Sequence, residues 1–148
     1  MSMKIIHKLF ICNVLFFLSS TTLFSQWSSN FNAGMEKYVF ENTAQVKSEP
    51  SIQSNVIDTL TTGHTVLIQK SMGEMSVLNG INANWARISY TKKGIRKEGF
   101  IWSGFLAFSK LESGDIKFVY GAAGIFQKNG VDMLDFQIKV YRKDERIT

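Results

Sequence analysis

The chain has 148 residues, 45 % hydrophobic and 20 % charged, with a single proline, a single cysteine and a formal net charge of +5. Its length suits one domain of ordinary size, or a small domain with an extension, and no repeat or low-complexity tract interrupts it. A disulfide framework is excluded by the cysteine count, and the basic excess is too mild to argue for a nucleic-acid partner.

Residues 1–25 read as a secretory leader. Lys4 and Lys8 precede the apolar run LFICNVLFFL, 9–18, and a polar stretch then leads to LFSQ, with Ser25 a suitable small residue before a cut. The run is about half of the ~20 residues a spanning helix needs and is interrupted by Asn13, so no stable membrane span is expected after cleavage. Cys12 follows the bulky Ile11, with most of the apolar run after it, and reads as one more apolar leader residue rather than a lipid-anchored cysteine. Export to the periplasm, the cell envelope or the medium is the expectation. The remaining chain has no cysteine, one histidine (His64), and fifteen basic residues against twelve acidic, a net charge of +3.

Beyond the leader, short β-rich runs separated by turn residues dominate, and helical periodicity is poor. Residues 26–37 form a polar lead-in or a loose helical turn. KYVFE (37–41) and Ala44 to Val46 are strand pieces, and SEPSIQSN is a loop fixed by Pro50. VIDTL (56–60) is a short strand, and Thr62-Gly63 turns the chain into HTVLIQK (64–70), where Val66 and Ile68 share one face and Leu67 takes the other. A long polar connection holding Gly73 and Gly80 leads to NWARISY (84–90), with Ala86, Ile88 and Tyr90 on one face and Trp85, Arg87 and Ser89 on the other. The locally basic TKKGIRKEG (91–99) reads as a solvated hairpin tip, followed by GFIW (99–102) and SGFLAF. Five or so short strands at this spacing predict a mostly β fold built on a small barrel over 38–108.

The remainder, 109–148, is expected to be a β-rich extension. DIKFVYG (115–121) sets Ile116, Phe118 and Tyr120 against Lys117 and Val119; FQIKVY (136–141) sets Phe136, Ile138 and Val140 against Gln137, Lys139 and Tyr141. Asn129-Gly130 between them has type I′ turn chemistry, giving two or three antiparallel strands. Residues 114–148 are fewer than the ~40 at which an unaided domain becomes viable. The segment therefore packs on the barrel, pairs with another chain, or belongs to a larger and here incomplete domain.

The pattern V-K-S-E-P-S-x-x-S-x-V-I-x-T-L-x-x-G-x-x-V, Val46 to Val66, resembles the opening of bacterial SH3-like domains. N-W-A-R-I-S-Y followed by G-F-I-W-S-G-F-L, Asn84 to Leu106, resembles their close. Lys47 stands where the family more often has arginine, and the 70–84 connection is longer than in compact members. The resemblance implies a small SH3-like β-barrel acting as a binding module, of a kind often attached to cell-wall enzymes. Its implied partner is a cell-wall peptide or another envelope protein, with no cofactor.

Candidate chemistry is sparse. One histidine and no cysteine cannot make a Cys-His pair or a multi-histidine zinc site, so no catalytic or metal-binding residue is assigned. Asp58, Glu74 and Glu98 are dispersed. Asp132 and Asp135, three apart beside a turn, make a poor acid–base pair, although they are the carboxylates a hydrolase reading would need. Aromatic residues are the better lead: a groove near Tyr38, Tyr90 and Trp102, with Phe105 close by, would give apolar contact, and Lys47 and Arg87 would meet carboxylates. Ile88 and Ile101 are expected to point inward, which turns Arg87, Phe100 and Trp102 the other way; Trp85 is expected to be structural. A structural role, with the strands of 115–141 pairing edge to edge with a second copy, is the alternative.

Overall fold

A computed structural model of the chain describes residues 26, 27, 31–143 and 145–147; the leader and its cleavage point lie outside them. The strands are β1 (Gln26–Trp27), β2 (Glu36–Tyr38), β3 (Ala44–Lys47), β4 (Val56–Leu60), β5 (Thr65–Leu78), β6 (Ile81–Lys92), β7 (Ile95–Trp102), β8 (Ser109–Ser113), β9 (Ile116–Lys128), β10 (Val131–Arg142) and β11 (Glu145–Arg146). A 3-10 turn, Ser103–Phe105, separates β7 from β8. The fold is mostly β, as the strand-and-turn pattern predicts, and no α-helix occurs among the described residues.

Two sheets result. The first runs β2-β5-β6-β7-β3-β4 and curls into a half-barrel, with β1 joining β6 in parallel. The second runs β11-β10-β9-β8. Three of its strands fall within 114–148, as the alternation there predicts, and β8 adds a fourth ahead of them.

The half-barrel closes on Val46, Val66, Ile68, Ile88 and Ile101, each 1 % exposed or less. Val46 sits opposite Ile101, joining β3 to β7, the last strand of the barrel segment. Gly99 makes this approach feasible: a Cβ there would lie 2.5 Å from Val46 Cγ1, so only glycine fits. The expected facing is observed, with Ile88 and Ile101 inward while Trp85 and Trp102 form a second cluster with Ile81 and Ala83.

The 70–84 segment corrects an expectation. It is not a polar connection but the end of β5 and the start of β6, paired as far as Leu78 opposite Ile81. Asn79 (φ 52°) and Gly80 (φ 77°) close the hairpin with the two positive φ values of a type I′ turn. The bulges between Ile68 and Lys70 and between Ser71 and Met75 hid it, because each breaks the alternation that marks a strand. The same chemistry recurs at Lys93-Gly94 and, as expected from sequence, at Asn129-Gly130.

The second sheet packs on the half-barrel through Val119, Phe40 and Ala107, with Tyr38 and Tyr141 at the margin. Gly121 lets β9 lie against the Phe40 ring, where a Cβ would come within 2.4 Å of Phe40 Cγ. Lys139 is 5 % exposed, and its ammonium donates to Phe40 O at 2.6 Å and to Asn42 Oδ1 at 3.0 Å. On these strands Val119 and Lys139 face inward, while the apolar Phe136 and Ile138 lie about half exposed.

Candidate functional site

A groove lies where β2, β5, β6 and β7 run side by side. Glu36 is opposite Leu67, Leu67 opposite Ser89, and Thr91 opposite Arg96. Period-two alternation sends this row away from Val66, Ile68 and Ile88, which fill the core. The groove encloses about 460 Å³ and is lined by Glu36, His64, Leu67, Ser89, Tyr90 and Arg96. Tyr90 reaches it from the core side, its ring meeting that of His64 edge-on at 6.1 Å. Gln69 Nε2 (2.9 Å) and Arg96 Nη2 (3.3 Å) both donate to Ser89 Oγ, which orders the floor. A carboxylate, a guanidinium and two rings thus border one opening.

Behind Tyr90 stands an ion cluster. Asp58, with a side chain only 10 % exposed, accepts from Tyr90 Oη at 3.1 Å, Lys97 Nζ at 2.9 Å and the Thr59 N–H at 2.8 Å, and pairs with Lys92 Nζ. The Lys92 and Lys97 ammoniums hold the Asp58 carboxyl well below the usual carboxylate range, overriding the opposing effect of burial. Burial, and then the bond to the anionic Asp58, push the Tyr90 phenol up to about 12. The pair fixes Tyr90 as a neutral donor and sets the rim of the groove.

The six residues picked from sequence are dispersed. Tyr90 lines the large groove; Lys47 and Phe105 line a separate cavity of about 210 Å³ with Gln45, Ile52 and Trp85. Tyr38, Tyr90 and Trp102 belong to three different apolar clusters and form no common groove. Trp102 is 1 % exposed; its indole N–H is shared by Ser76 O and Ala83 O, both at 3.0 Å, and Phe105 packs edge-on against its ring at 5.1 Å. Tyr38 lies beneath Lys110, whose Nζ sits 4.1 Å from the ring centroid.

Both cations have partners within the chain. Lys47 Nζ donates to Ile52 O (2.9 Å) and Ser54 O (3.0 Å), pinning the proline loop, and two of its three protons are committed there. Arg87 pairs with Glu98 at 2.8 Å on the surface. Trp85 is structural as expected, donating to Ser76 Oγ at 2.9 Å. Asp132 and Asp135 point to opposite faces of β10 and accept from Gln127 and Gln137 respectively, so they make no pair.

The sequence does not show that Glu36, His64 and Arg96 share one opening, because register brings them together from three distant segments. The detectable signal was the position of Glu36, two residues before Tyr38 at the start of a strand. Among the described residues, no three His, Cys, Asp or Glu side chains gather as a metal site, and no helix is long and apolar enough to cross a membrane. Comparison with protein families, curated proteins and solved structures finds no match.

Proposed function

We propose that the chain is an exported, non-catalytic binding module, its half-barrel an SH3-like domain, which takes a cell-wall peptide or a peptide segment of an envelope protein into the Glu36–Arg96 groove. The supporting observation is the groove itself: a carboxylate and a guanidinium border one opening of about 460 Å³ that also holds the Tyr90 and His64 rings. A short peptide carries both charges and apolar side chains. Arg96 suits its carboxylate, Glu36 its amine, and the rings its apolar stems. Supporting the SH3-like assignment are the close of β3 on β7 and the Gly99 approach, which fall on the residues that carry the family resemblance.

Isothermal titration of the chain with purified peptidoglycan stem peptides, and pull-down from an envelope extract, test this reading. Binding by one of these is expected, weakened at least tenfold by Arg96→Glu and by Glu36→Lys. Unchanged binding by both variants would reject the groove. Absence of binding to either source would reject the function.

A further inference from the structure

The second sheet leaves much of one face exposed, apart from Ala122 and Ile125, which pack against the Ile81–Trp102 cluster. Its inner face carries Val119, Lys139 and Tyr141 against the barrel; on the other face Leu111 is opposite Phe118 and Phe118 opposite Val140. Ile147 continues this row, its N–H on Val140 O at 2.9 Å. The result is an apolar stripe across all four strands. A second row runs along β10, where Leu134, Phe136, Ile138 and Val140 share the face. Phe136 stacks on Phe108 with ring planes 3° apart, extending the patch.

The size argues for a protein partner. Leu111 (56 % exposed), Phe136 (54 %), Ile138 (50 %) and Ile147 (49 %) together present roughly 400 Å² of apolar surface, taking ~150–250 Å² for a large side chain. Leu134 and the partly exposed Phe118, Tyr120 and Val140 bring the face to about 600 Å², the top of the ~300–600 Å² range of a monomer's largest and often functional patch, against the ~800 Å² per partner of a standard interface.

The charges select the partner. On β10 the exposed row reads Asp132, four apolar residues, then Arg142, with the acid and the base equally far from its midpoint at Gln137. Two such strands laid face to face and antiparallel put Asp132 of each copy over Arg142 of the other, twice per pair, while the apolar residues meet between them. Arg142 has a long 3.9 Å contact with Asp115, both side chains more than half exposed, and lies opposite Glu145. With Asp132 and Glu145 as the acids and Arg142 as the base, this face has no cationic bias toward an anionic lipid surface.

We infer that the outer face of the β8–β11 sheet is the interface of a homodimer, two copies packing sheet on sheet with antiparallel β10 strands. This is packing of faces, distinct from the edge pairing that the strand pattern suggested, and it is independent of the peptide groove. Such a contact is isologous, each copy offering the same patch.

Sedimentation equilibrium of the full chain, expressed with its own N-terminal segment, is the test. A dimer is expected at micromolar concentration. Ile138→Lys, which places a charge at the centre of the patch, is expected to give a monomer with unchanged circular dichroism. Asp132→Arg and Arg142→Asp each set like charges against each other and are expected to weaken the dimer at least tenfold alone; an equimolar mixture of the two recovers it, because opposite charges then meet. A monomeric wild-type chain, an Ile138→Lys dimer as tight as wild type, or a mixture no tighter than its components would overturn the inference.

Discussion

Lys139 and Phe40 lie 99 residues apart, yet the ammonium of one donates to the carbonyl oxygen of the other at 2.6 Å and rests 4.2 Å from the centre of its ring. This contact ties the second sheet to the half-barrel. Burial lowers the lysine pKa, so its charge is retained at a cost that the carbonyl, Asn42 and the ring offset. Lys139→Ala removes the charged donor to Phe40 O, leaving the Thr62 hydroxyl at 3.1 Å as its remaining side-chain donor, and is expected to lose about 1.5–3 kcal/mol in urea unfolding. Lys139→Met keeps the apolar stem without burying a charge and should lose less.

Gly121 gives a steric test of the same junction. An alanine Cβ would sit 2.4 Å from Phe40 Cγ and 2.7 Å from both Cδ atoms, closer than packed atoms come. Gly121→Ala is expected to destabilise the chain by about 1–3 kcal/mol, the cost of overpacking, measured as a fall in the urea midpoint. Gly114, where nothing lies within 4 Å, isolates the backbone effect: its φ of 61° penalises alanine without a clash.

Acid should act through Asp58. Its folded pKa is depressed by Lys92 and Lys97, so its contribution is fully present above the unfolded value of about 3.9 and is lost as pH falls toward the folded value. The melting temperature is expected to drop below pH 4, and less steeply in Asp58→Asn, which is already less stable at pH 7. Parallel thermal melts from pH 2 to 7 compare the two.

Alkali acts on its partner with the opposite sign. The Tyr90 pKa is raised to about 12, so the stability it contributes is present below the unfolded value of about 10 and is lost as pH rises through 12. Ultraviolet titration should show one tyrosine ionising late, and Tyr90→Phe should remove that step. Loss of the hydroxyl, with Asp58 still holding both lysines, is expected to cost about 0.5–1.5 kcal/mol.

Local signals were legible in the sequence wherever one strand face meets the core. Val56–Leu60 was bounded correctly, Ile88 and Ile101 were placed inward, and Asn129-Gly130 was read as a turn. The equivalent Asn79-Gly80 was passed over because bulged strands flank it. In the second sheet, apolar alternation does not by itself show which face packs inward, since a buried lysine can replace an apolar residue when a carbonyl and a ring receive it. Of the six candidate residues, Tyr90 alone borders the large groove, because cross-strand register, which sequence does not display, decides which side chains meet there.

The pairing of Val46 with Ile101 has a kinetic corollary. Hairpins β5-β6, β6-β7 and β9-β10 join neighbours along the chain and can form as soon as their two arms exist. The half-barrel cannot shut until β7 has been delivered to β3, a closure across more than fifty residues that sets a slow, topologically demanding step. During that interval the long hairpins stand with unmade edges, the stage at which a newly made chain is most open to aggregation and most dependent on chaperone capture.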